Sequence, residues 1–111
     1  MKNKESPRKI FRQGDVLLNQ VASLPKSVRQ AESSDRYILA EGEATGHHHS
    51  VKASEGVSLF TRGEGKMWLA VEKTVARLEH QEHATIEIPL GFYEVRRQRE
   101  YDPIGERRVH D

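Results

Sequence analysis

The stretch Thr85-Ile86-Glu87-Ile88-Pro89-Leu90-Gly91-Phe92-Tyr93-Glu94-Val95 decides the fold class. Residues 85–88 alternate between polar and apolar side chains with the period of two expected of a strand that buries one face. Pro89-Leu90-Gly91 then supplies a turn, because proline fixes one backbone angle and glycine accepts angles that other residues avoid. Phe92-Tyr93-Glu94-Val95 opens a second strand, which the sequence extends toward Tyr101. Upstream, the same punctuation recurs. Gly14-Asp15 introduces Val16, Leu17 and Leu18, and that run closes before Leu24-Pro25. Residues 26–35 are polar and read as a loop, Tyr37, Leu39 and Glu41 alternate with Ile38 and Ala40, and Val57 and Leu59 share one face of a strand closed by Arg62-Gly63-Glu64-Gly65.

Residues 66–80 admit two readings. As strands, Met67, Leu69 and Val71 face one way, and after a turn near Lys73 the residues Ala76, Leu78 and His80 face a core. As a short helix, Met67, Val71, Val75 and Leu78 form a stripe of period about 3.6. β-branched Val71, Thr74 and Val75, the lack of an N-cap and strand signals on both sides favour strands. The sequence therefore predicts an all-β, single-domain barrel or sandwich of about seven short strands.

The chain has 111 residues, the size of one domain, with 35% apolar and 32% charged side chains, so a small core under a densely charged surface follows. Cysteine is absent, which removes thiolate metal sites, disulfide frameworks and thiol nucleophiles, and points to a reducing compartment. No apolar run approaches the roughly 20 residues of a membrane helix, and MKNKESPRKIF carries no signal-like apolar segment, so the expected location is the cytoplasm, with no membrane partner. Residues 1–12 carry five basic side chains and one acid, a basic flexible tail ahead of a β domain at 13–101 and a C-terminal turn and tail at 102–111. The remaining chain is acidic by three charges, and Arg96, Arg97, Arg99, Arg107 and Arg108 are balanced by Glu94, Glu100, Asp102, Glu106 and Asp111. Interleaved signs suit ion pairing better than a phosphate track, so nucleic acid is expected to engage only the basic tail.

Five of the six histidines fall in two clusters, Gly46-His47-His48-His49-Ser50 and His80-Gln81-Glu82-His83. Neutral imidazole offers a metal a lone pair at physiological pH, and on a strand His47 and His49 point to the same side about 6.6 Å apart. His80 shares a face with Leu78, and His83 follows a short connection. The predicted metal ligands are His47, His49, His80 and His83, holding a divalent Zn, Fe, Mn or Ni ion, with His80 as the fourth ligand or as a support. Leu78, Ile86, Ile88, Phe60 and Trp68 are expected to line the cavity, Glu41, Glu43 or Glu82 to orient a ring nitrogen, and Glu43 and Glu82 are the candidate catalytic proton carriers for a small-molecule substrate. A row of histidines also suits a solvated loop or a pH-responsive domain whose imidazoles repel on protonation.

Gly42, His47, His49 and Glu55, followed by Pro89-Leu90-Gly91, resemble the two motifs of the cupins, small double-stranded β-helix proteins. The resemblance covers about residues 37–95 and implies a His-rich divalent-metal site inside a barrel, in a family that includes oxygenases, isomerases, binding proteins and regulators. It differs from the family pattern in the long spacing from His49 to Glu55 and in having His80 and His83 before the Pro-Leu-Gly turn. No phosphate loop, HExxH or GxSxG motif occurs. The competing expectation is a non-enzymatic protein- or nucleic-acid-interaction module that uses its basic arm, or that forms a homodimer through an edge strand such as Val95 to Tyr101.

Overall fold

The computed structural model describes residues 8–32, 35–41, 46–63 and 65–98. They form ten strands, three more than the sequence predicts: β1 (Ile10–Gln13), β2 (Val16–Val21), β3 (Arg29–Gln30), β4 (Arg36–Glu41), β5 (His48–Lys52), β6 (Val57–Arg62), β7 (Lys66–Val71), β8 (Ala76–Glu79), β9 (Ile86–Ile88) and β10 (Gly91–Arg97). Two antiparallel sheets result, one in the order β1-β2-β10-β7-β6-β3 and one in the order β4-β5-β8-β9. Among the described residues neither sheet closes on itself, so the fold is a single-domain sandwich and not a closed barrel.

Alternation places the core. Val16, Leu18, Leu59, Leu69, Val71 and Tyr93 of the first sheet and Tyr37, Leu39, Val51, Leu78 and Ile88 of the second belong to one buried cluster. Burying a side chain such as Leu78, which is fully covered, contributes roughly 1.5–3 kcal/mol.

The ambiguous segment 66–80 contains no helix: β7 ends at Val71, and β8 begins at Ala76 in the other sheet. Trp68, Leu69, Ala70 and Val71 are all buried, because β7 is an interior strand covered on both faces. Such a strand loses its period of two, and that is why a helical stripe competes with it in the sequence. Val75, a member of that stripe, stands 48% exposed in the turn between the sheets.

Four further expectations change. The polar stretch 26–35 contributes β3, two exposed residues paired with Thr61 and Phe60. The basic arm is shorter than 12 residues, since Ile10–Gln13 pair with Val16–Asn19, while residues 1–7 and 102–111 lie outside the described residues. In β4 a register shift between Ile38 and Ala40 buries Ala40 and turns Glu41 outward, breaking its expected alignment with Leu39. β10 ends at Arg97 and lies between β2 and β7, with Phe92–Val95 paired on both sides and Arg96 and Arg97 paired to β2 alone, while residues 99–101 of the expected edge strand lie outside the described residues.

Candidate metal centre

The β5–β8 pairing matches Ser50 with Glu79 and Val51 with Leu78, and one step further along this register His49 meets His80. Ring centroids of His49 and His80 lie 4.3 Å apart, those of His80 and His83 4.7 Å, those of His49 and His83 5.9 Å, and those of His47 and His80 5.8 Å. The two histidine-rich stretches thus form one cluster of four rings. His48, the first residue of β5, points its backbone N–H at Gln81 Oε1 at 2.9 Å.

What organises the cluster is a turn that the histidine spacing does not reveal. The β1–β2 hairpin, closed by the Gln13–Val16 pair, lays Gln13, Gly14 and Asp15 against the imidazoles. Gln13 is 3% exposed, and its Nε2 donates to Leu78 O at 3.0 Å and Ala84 O at 2.9 Å. With both amide hydrogens committed to carbonyls, Oε1 accepts, and the group 2.9 Å away is His49 Nδ1. His49 therefore carries its proton on Nδ1 and keeps a lone pair on Nε2. That lone pair stands 3.7 Å from Asp15 Oδ1.

Electrostatics keep His49 in this form. Burial, then the neighbouring His80, lowers its pKa to about 4; Asp15 opposes the shift, and His83 and Arg97 add to it. At neutral pH two acceptors, an imidazole nitrogen and a carboxylate, confront each other with no proton between them. Arg97 holds the other carboxylate oxygen at 3.4 Å and also donates to Glu41 O at 3.4 Å, tying β10 to the end of β4. Gly14 adopts φ +59°, and a Cβ there would lie 3.0 Å from His83 Nε2 and 3.3 Å from His49 Cε1. Both the backbone angle and the close approach favour glycine.

His80 differs from His49. Glu82 N–H donates to its Nδ1 at 3.0 Å, which puts the ring proton on Nε2. Desolvation first, then His83 and His47, lower its pKa, so the neutral ring presents an N–H donor. Glu82 itself is a rim residue, its side chain 65% exposed and its Oε2 3.5 Å from His47 Nδ1. Glu43 lies outside the described residues. Glu55, the carboxylate of the cupin-like motif, pairs with Lys73 Nζ at 2.8 Å on the surface, and Asp15 is the carboxylate that approaches His49. Of the expected lining, Leu78 and Ile88 are core residues and Ile86 packs against that core. Phe60 and Trp68 are a cross-strand pair of β6 and β7 outside that core cluster, with Trp68 beneath the Arg62 guanidinium. Among the described residues, no three His, Asp or Glu side chains stand as a ready-made cage for an ion. Nor is any helix long and apolar enough to cross a membrane.

Fold and cluster together define a class: a two-sheet, all-β domain with an imidazole group gathered under a hairpin turn. The chain belongs to the DUF8820 family, a domain of unknown function, whose model matches residues 12–98. Arg12 and Gln98, at the two ends of that match, are joined by a side-chain hydrogen bond, and the span takes in Gln13, Asp15 and the four clustered histidines. No curated protein and no solved structure matches the chain.

Proposed function

We propose that this domain binds one divalent metal ion, of the Zn, Fe, Mn or Ni group, through His49 Nε2, the Asp15 carboxylate and His83. His80 is the adjacent proton donor, and His47 and Glu82 close the rim. The observation that carries the reading is the 3.7 Å separation of a lone pair on His49 from an oxygen of Asp15. Two metal–ligand bonds of roughly 2.0–2.2 Å span up to about 4.2 Å, so a single ion reaches both atoms without moving either. Two imidazoles and one carboxylate form a donor set that suits these ions and leaves positions open. Gln13 supports it by fixing the tautomer, the role that a hydrogen-bonded partner plays behind a ligating histidine. His83 completes the set by a side-chain rotation toward the turn, whose Gly14 leaves room beside its ring.

A bound ion of this kind supplies a Lewis acid and a water of lowered pKa. The protein's own contribution is to keep His49 neutral, to exclude solvent from it and to hold an N–H of His80 nearby. Metal analysis and calorimetric titration of protein purified without a histidine tag test the reading. One ion per chain, lost in His49→Gln, is the expected result. Binding far below one ion per chain, unchanged by His49→Gln and Asp15→Asn together, overturns it.

A further inference from the structure

Behind the imidazole cluster, on the outward face of the four-stranded sheet, Arg36, His48, Ser50, Glu79, His80, Gln81 and Thr85 line a cleft of about 440 Å³. That volume lies within the range of small-molecule sites, and every one of the lining side chains is polar. The hydrogen-bond inventory has a direction. Arg36 spends its Nε on Ser50 Oγ at 2.9 Å and one Nη2 hydrogen on Glu79, leaving the Nη1 edge of the guanidinium without an acceptor among the described residues. Ser50 Oγ is the acceptor in that bond and keeps its own O–H to donate, in a residue only 2% exposed. Gln81 uses Oε1 on His48 N–H, so among the described residues its NH₂ end is the one left to donate. His80 adds the Nε2–H fixed by Glu82. Among the described residues His48 Nδ1 is buried without a hydrogen-bond partner, which is uncommon in folded proteins. Glu79, the only carboxylate in the wall, already faces both Arg36 and Arg77.

We propose that this cleft binds a small hydroxycarboxylate, its carboxylate on the Nη1 edge of Arg36 and its hydroxyls accepting from Gln81, Ser50 and Thr85. A cleft rich in donors selects a ligand rich in acceptors. The absence of aliphatic side chains from the wall disfavours an apolar tail, and Glu79 beside the single guanidinium disfavours the near-double charge of a phosphate ester. Since His80 belongs both to this wall and to the imidazole cluster, the ligand would sit beside the metal centre; that juxtaposition rests on the metal reading above, whereas binding to Arg36 does not.

The test uses the full chain, ¹⁵N-labelled and stripped of metal, titrated with lactate, glycerate and gluconate, with inorganic phosphate and glycerol in parallel. Saturable shifts of the His48, Ser50 and Gln81 amides with at least one carboxylate are expected. Arg36→Gln should weaken that binding at least tenfold. Glu79→Gln, which removes a competing carboxylate and frees Arg36, should tighten it severalfold, a gain that misfolding cannot imitate. No saturation by any of the three carboxylates, saturation by phosphate or glycerol alone, or affinities that ignore both substitutions, overturns the proposal. Failure of the metal reading would show instead as absent metal uptake and would leave this titration intact.

Discussion

His49 Nε2 and Asp15 Oδ1 face each other at 3.7 Å, both as acceptors, because Gln13 draws the only imidazole proton to the opposite side of the ring. The arrangement has a sharp consequence for Asp15→Asn. An amide in place of the carboxylate can donate to His49 Nε2 and relieve the confrontation, so the metal-free protein should stay within about 1 kcal/mol of its original stability. Metal affinity should nevertheless fall by about 10- to 100-fold, because a charged ligand has been replaced by a neutral one. Urea denaturation after chelation, beside metal titration of the same variant, checks both halves. An unchanged affinity would remove Asp15 from the ligand set.

Gln13 serves three partners with one side chain. Gln13→Ala leaves His49 Nδ1 and Leu78 O without that partner in a buried setting and Ala84 O in a partly buried one, and unsatisfied buried polar groups cost about 1–3 kcal/mol each. Water entry recovers part of the loss, so a net destabilisation of roughly 2–4 kcal/mol is expected by chemical denaturation. A second readout separates support from simple packing. With Nδ1 released, His49 should populate both neutral tautomers, visible in the ¹⁵N shifts of its ring.

Gly14 and Gly46 form a matched pair for testing the close approach of the hairpin. Both have positive φ, +59° and +81°, but a Cβ at Gly14 meets His83 Nε2 at 3.0 Å whereas one at Gly46 meets nothing within 4 Å. Alanine at either position should cost about 1 kcal/mol in backbone strain. Only Gly14→Ala should also displace the His83 ring and weaken metal binding. Equal effects of the two substitutions on metal affinity would show that the turn does not shape the site.

Much of this was written in the sequence, and what was not has physical causes. Short alternating runs bounded by Gly and Pro announce the sheets, since Ile86 and Ile88, and then Tyr93 and Val95, repeat at the strand period. The approach of His49 to His80 follows from β5 lying against β8, and two histidine-rich stretches in a small β protein point toward it. The double burial of β7 erased its alternation, leaving the helical reading open. Gln13 and Asp15 were invisible as site residues because 36 and 34 positions separate them from His49. Gly14-Asp15 reads only as a turn, and nothing in its neighbours says which part of the other sheet that turn will cover. The bulge between Ile38 and Ala40 carries no glycine or proline to mark it, so the outward turn of Glu41 could not be read either.

The depressed pKa of His49 gives the metal-free domain a specific acid sensitivity. In the folded chain the ring protonates only near pH 4, whereas in the unfolded chain it protonates near its ordinary value of 6.5. Between these limits the unfolded state binds the extra proton, so stability is fully present above about pH 6.5, declines as the pH falls, and stops declining on this account below about pH 4. A depression of this size is worth on the order of 3 kcal/mol across the window, and His80, lowered mainly by desolvation, acts in the same direction. Urea midpoints measured at pH 7, 5.5 and 4 after chelation should therefore fall, and the fall should shrink in His49→Gln, which has no imidazole to protonate. If His49→Gln keeps the full pH dependence, the sensitivity belongs to carboxylates elsewhere in the fold, and His49 is less shielded from water than its 2% exposure implies.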